Sequence, residues 1–278
     1  MKVNFCFFIV VCLLILWSCE DLNEPVDLHS EYSIVACFDP ADNLHRVYAY
    51  HNAPLSEYVD GVIIDDYFVN EADITLKWGN EVFNDFLFHK DSTTTTYYYS
   101  YGEYNQKTYY GNNSELEIIP GMEYELTIKI NDSEFTGNMS VPGNFELSLP
   151  ARDTMKAEEI NELEFEWTES INSSVYVYGY RTARPAPEYY AEYSGIDYFN
   201  FPEGIPREGD YTYERKVKFD FYGNPFTVAD SVLIFVSAFD KNTSDHILKG
   251  RSSAGLTNAL GVFGSSVTKT AVIVIEKE

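Results

Sequence analysis

The sequence predicts an all-β protein: two consecutive β-sandwich domains behind an apolar leader and a short acidic tether. Three observations predict it. Short apolar or β-branched runs recur along the chain, turn chemistry separates them, and no segment sustains a 3.6-residue apolar period.

The leader comes first. Residues 1–18 hold one charge, Lys2, followed by an apolar block from Phe5 to Trp17. That block is shorter than the roughly 18–20 residues that cross a bilayer. A positive start, a short apolar core and the small Ser18 before the break mark 1–18 as a secretory signal peptide. Residues 19–30 form the tether, which opens with Glu20, Asp21 and Glu24.

The first sandwich spans 31–145. Its strands are expected at Tyr32–Phe38, Leu44–Tyr50, Ala72–Trp78, Glu81–His89, Ser114–Ile119, Tyr124–Ile130 and Glu134–Val141. "FDPADN", "WGNE", "IPGME", "INDSE" and "VPGN" supply the turns between them. Residues 146–160 are polar enough for a linker. The second sandwich, 161–278, has strands at Leu163–Trp167, Val175–Tyr180, Tyr211–Phe221, Thr227–Phe239 and Val267–Ile275. Thr182–Gly209 is rich in Pro and Tyr and too long for a simple turn.

The formal net charge is −25, and removing the leader deletes Lys2 and no acid, which brings it to −26. So acidic a chain repels phosphate backbones and excludes a nucleic-acid partner. Anionic headgroups repel the body too.

Leu16-Trp17-Ser18-Cys19 resembles a bacterial lipobox, with a branched apolar residue three before the cysteine and a small one directly before it. The resemblance implies that Cys19 takes a diacylglycerol, that the signal is cut before it, and that the new α-amine is acylated. Two or more acyl chains hold stably where one holds marginally. The acids after Cys19 resemble the export signal that sends Bacteroidota lipoproteins to the cell surface. Cys6 and Cys12 then leave with the leader, so Cys37 is the one thiol left and no internal disulfide forms. Within "YSIVACF" it reads as a small core residue.

"FEWTES" followed by "SSVYVYGYR" resembles the early strands of a fibronectin type III domain, where a Trp fills the core and alternate residues point inward. "VYAYHNAPL", "IPGMEYELTIKI", "FTGNMSVPG" and "LTNALGVFGSS" extend the likeness over nearly the whole mature chain. Together they resemble a Bacteroidota family of surface lipoproteins classed as a domain of unknown function. The resemblance implies a transthyretin- or carboxypeptidase-regulatory-like sandwich joined to a fibronectin-like one, often encoded beside TonB-dependent receptors. It carries no catalytic or binding residues to transfer.

No chemistry-bearing motif stands out. The five histidines have no zinc-ligand spacing and read as surface or edge residues; there is no G-x-S-x-G elbow, P-loop or dinucleotide fingerprint. The serines of "RSSAG" and "FGSS" lie in Gly-rich stretches read as turns. No enzyme activity, metal site or cofactor is expected. Calcium is the cofactor with most support: "FDPADN" (Asp39, Asp42) and "FDKNTSD" (Asp240, Asn242, Asp245) put oxygen ligands after strands. Asp and Asn in turns also cap their own backbone, which is the favoured reading. "DST", "DTM" and "DSV", at Asp91, Asp153 and Asp230, match a secreted-protein O-glycosylation signal.

Tyrosine, 23 in all, is clustered. "TYYYSYGEYNQKTYY" holds Tyr97, Tyr98, Tyr99 and Tyr101, and "PEYYAEYSGIDYFNF" holds Tyr189, Tyr190, Tyr193 and Tyr198. Tyr offers a rigid amphipathic surface at low entropy cost, which suits protein interfaces and sugar stacking. These are the candidate binding residues. The expected partners are the outer membrane through the lipid, a TonB-dependent receptor or other surface protein, and a glycan or peptide ligand. A fimbrial or adhesin-like subunit is the alternative, with Val267–Ile275 as its exchangeable donor strand.

Overall fold

The computed structural model describes residues 31–52, 68–91, 107–150, 152–183, 210–219 and 230–276. The chain runs β1 (Tyr32–Phe38), β2 (Arg46–His51), β3 (Asp73–Trp78), β4 (Glu81–Phe83), β5 (Phe86–Asp91), β6 (Lys107–Asn112), β7 (Glu123–Ile130) and β8 (Ser133–Ser140). Next come β9 (Leu147–Ser148), β10 (Thr154–Met155), helix α1 (Ala157–Asn161), β11 (Glu164–Trp167), β12 (Val175–Ala183), β13 (Asp210–Thr212) and β14 (Lys216–Lys218). Last are β15 (Ser231–Phe239), helix α2 (Lys241–Lys249), β16 (Ser253–Ala254), β17 (Leu256–Thr257) and β18 (Leu260–Ile275). The protein is all-β.

The β7–β8 hairpin shows why these residues form strands. Tyr124, Leu126, Ile128 and Ile130 point inward while Glu123, Glu125 and Lys129 face water, the period-2 pattern of a half-buried sheet. Asn131 takes the left-handed conformation (φ 52°), which Asn tolerates, and closes the turn so that Ile130 pairs Ser133.

One large sheet runs β13-β12-β15-β18-β1-β2-β6-β5, with β10 and β16 also on β18. A five-stranded sheet, β17-β8-β7-β3-β4, covers its β1 end, where Tyr32 meets Phe135 at 5.2 Å between ring centroids. A three-stranded sheet, β14-β11-β9, covers its β12 end. There Trp167 packs on Tyr176 and Phe165 on Tyr178. The valines that alternate with those tyrosines, Val175 and Val177, face the other way. They form a second, smaller core with Cys37, Phe235, Phe239, Ala254 and Val262, and Ile247 of α2 packs against it.

The strand Val267–Ile275 expected for the second sandwich extends back to Leu260. Its first part pairs in parallel with β1, from Ser33↔Leu260 to Phe38↔Ser265. Its second part pairs antiparallel with β15, from Phe239↔Ser266 to Ser231↔Val274. β18 therefore belongs to both sandwiches, and Glu31–Glu278 is one compact unit. At about 3.3 Å per residue the strand is on the order of 50 Å long.

Four expectations change. "FGSS" lies inside β18 and is not a turn. Its Gly264 sits there because a Cβ would collide with Thr243 of α2, and Gly261 (φ 107°) because a Cβ would strike the Ile34 carbonyl. "FDKNTSD" is the start of α2: Asp240 accepts a hydrogen bond from Thr243 N (2.8 Å) and Gly250 ends the helix left-handed. Ser114–Ile119 buries Leu116 and Ile118 but makes no strand ladder. Side chains bond its backbone instead, since His45 Nε2 lies 3.1 Å from Leu116 O and Ile119 N donates to Tyr124 Oη. The polar stretch before β11 carries β10 and α1, which bury Met155, Ala157 and Ile160.

Candidate functional site

The residues named for attachment and binding, Cys19, Tyr97, Tyr98, Tyr99, Tyr101, Tyr189, Tyr190, Tyr193 and Tyr198, lie outside the described residues. The strands on either side of the tyrosine clusters are described. Asp91 and Lys107, which flank the first cluster, are register partners in β5 and β6. β6 runs antiparallel to β2, so Lys107 stands at the end of the sheet where β1 begins and the tether joins. Ala183, which precedes the second cluster, is level with Ser231 and Val274 at the opposite end. Tyr109 and Tyr110 of the first cluster's sequence are structural: Tyr110 is buried and donates to Val69 O (3.0 Å), and Tyr109 stacks on His89.

Three of the proposed oxygen ligands, Asp39, Asp240 and Asp245, already have protein partners. Asp39 is buried; its Oδ2 accepts from Ser266 Oγ (3.0 Å) and Thr268 Oγ1 (2.9 Å), and its Oδ1 from Ala41 N (2.9 Å). Burial raises its pKa against those bonds. Asp42 is pushed up to about 6 by burial and by the charge of Asp39. Asp240 caps α2 and is pushed up to about 6 by burial. Asp245 is held below the usual carboxylate range: burial opposes this, but Lys241, Lys249 and Arg251 all pair with it. Among the described residues no group of three or more His, Cys, Asp or Glu is placed to hold a metal ion.

Two further readings are settled by burial. Cys37 lies in the small core, and burial followed by the nearby Asp240 pushes its thiol up to about 12, so it is not a thiolate at neutral pH. His45, read as a surface or edge residue, is 2% exposed, packs on Phe38, and has its pKa lowered by burial.

A cleft of about 610 Å³ lies between the five-stranded sheet and the start of α2. Its floor is formed by the neighbouring ends of β3, β7 and β8 and takes residues from both faces of the sheet: Lys77, Glu125 and Asn138, register partners on the outward face, and Trp78, Tyr124 and Met139 on the core face. Lys77 Nζ and Glu125 Oε2 are 3.6 Å apart, an exposed ion pair of little energetic weight. Trp78 stands at one side, half-buried, its ring centroid 5.4 Å from that of buried Tyr124. The facing wall carries Asn172, Lys241 and Asn242. Asn242 Nδ2 donates to Asn138 O (2.7 Å) and Phe263 O (2.9 Å), so it ties α2 to both sheets and holds the wall in place. The sequence marked Trp78 as the end of the strand Ala72–Trp78 and the start of the "WGNE" turn. Nothing in its local pattern shows that α2, more than 160 residues later, closes over it.

No family model matches the chain, and comparison with curated proteins gives no match. Among the described residues no helix is long and apolar enough to cross a membrane.

Proposed function

We propose that this is a non-catalytic, lipid-anchored outer-membrane protein displayed on the cell surface, an accessory or ligand-binding component of a TonB-dependent uptake system. The observation that carries the reading is the run Leu16-Trp17-Ser18-Cys19 with Glu20 and Asp21 directly after it. The loose motifs shared with surface lipoproteins of unknown function add to it. A body that is all-β, strongly acidic and free of a membrane-length helix among its described residues suits attachment by lipid. The buried Cys37 and the carbonyl-facing His45 favour a binding role over nucleophilic chemistry.

The central position of β18 weighs against the fimbrial alternative. A donor strand has to leave its own sheet, whereas β18 is hydrogen-bonded to β1 along one half and to β15 along the other. The test is Cys19→Ala in the native host. Fatty-acid labelling is expected to disappear and the protein to leave the membrane fraction; unchanged labelling overturns the anchor. Mild crosslinking in native outer membranes, with partners identified by mass, tests the association with a receptor.

A further inference from the structure

We propose that the cleft between the ends of β3, β7 and β8 and the start of α2 binds a neutral oligosaccharide. This deepens the ligand-binding reading above and does not depend on the lipid anchor.

Four features point to that chemistry. The first is the floor. Lys77, Glu125 and Asn138 are register partners on three adjacent strands, so a cation, an anion and an amide lie in a row at the inter-strand spacing of about 4.8 Å. That repeat is comparable to one hexose ring, and it alternates donors with acceptors as vicinal hydroxyls require. The second is Trp78, on the core face of the strand end, whose half-buried indole reaches the cleft from that side and is braced by Tyr124. A braced ring gives the apolar face of a sugar a flat surface without first losing side-chain freedom. The third is the facing wall, where Asn172 and Asn242 add planar amides from two separate elements. Asn242 is fixed by its two bonds to main-chain oxygens, and Asn172 sits in a left-handed turn (φ 62°). The fourth is charge. Lys77 is paired with Glu125, and Glu123 also lines the cleft of a protein whose net charge is −25. That balance disfavours phosphates and uronic acids and leaves neutral hydroxyls as the matching groups.

An extended peptide is the competing occupant, but β17 pairs β8 at Thr136 and Gly137 and Asn242 takes the Asn138 carbonyl, so the β8 edge left beside the cleft is too short for a strand to add.

The experiment is calorimetric titration of the full chain, purified from its host in detergent, with maltohexaose, cellohexaose, xylohexaose and mannohexaose, and with a hexagalacturonate as the charged control. At least one neutral sugar is expected to bind, the charged one more weakly. Trp78→Ala is expected to weaken that binding about tenfold or more. Because Trp78 also packs against the core, Asn172→Gly, which keeps the left-handed turn, and Glu125→Ala at an exposed site provide independent losses of affinity. Failure of every neutral sugar to bind, tighter binding of the hexagalacturonate, or binding that all three substitutions leave intact would overturn the assignment. Fatty-acid labelling of the same preparation reports on the anchor separately.

Discussion

Asp240 does two things at once: its carboxylate caps α2, and it does so at 1% exposure. Burial raises its pKa from 3.8 to about 6, a shift worth on the order of 3 kcal/mol between its two protonation states. A folded-state pKa above the unfolded one means that the folded protein holds the extra proton between about pH 4 and 6. The contribution to stability is complete below the unfolded value and is lost as pH rises through about 6. Asp42 acts in the same window and direction. His45 opposes them, because burial lowers its pKa and the unfolded chain takes up that proton first on acidification. Asp240→Asn keeps a capping oxygen without the charge. It is expected to stabilise the protein at pH 7.5 by up to about 3 kcal/mol and by almost nothing at pH 4, measured by denaturant unfolding at the two pH values. An equal effect at both would show that the buried charge is not the cause. Asp245 presents the opposite case, a buried carboxylate facing three cations. Asp245→Ala is expected to cost about 1–3 kcal/mol in the same assay, with the loss shrinking as the carboxylate is protonated at low pH. The capping role was legible, since Asp in such a stretch is read as bonding its own backbone. The burial of Asp240 and of His45 was not, because it depends on elements distant in sequence, and the three cations on Asp245 gather only once α2 forms.

At the scale of elements, alternation was the readable signal and glycine the misleading one. β1, β7 and β8 follow their apolar alternation closely, and the tyrosines and valines of β12 part cleanly onto two faces. α2 was missed because its residues carry few apolar side chains, with Ile247 as its packing contact to the small core. Only the Asp240 cap and Gly250 announce it. The start of β18 was missed because Gly261, Gly264, Ser265 and Ser266 are turn residues elsewhere. Here the small side chains let β1 and α2 approach the strand. Gly261→Ala tests this directly: a Cβ at φ 107° against the Ile34 carbonyl is expected to cost about 3 kcal/mol, read as a lower denaturation midpoint with an unchanged m-value. A loss under about 0.5 kcal/mol would mean that β1 and β18 are not held as described.

For the whole molecule, β18 makes one body of what the sequence presents as two sandwiches in series. Its Leu260 end lies beside the start of β1, where the tether joins, and its Ile275 end lies beside β10 and the end of β12. The two halves are expected to unfold together. A chain ending at Ala259 loses the partner of both β1 and β15, so amide protection should vanish across both halves in hydrogen exchange; a protected N-terminal half would contradict this. The same topology places Ala183 and Val274 on the order of 45 Å along β18 from the tethered end. The most direct measurement is protease treatment of intact cells. The expected result is digestion of the body on cells carrying the native chain, while periplasmic controls stay whole. Complete protection of the body, with cleavage only after the outer membrane is opened, would contradict a surface-displayed protein.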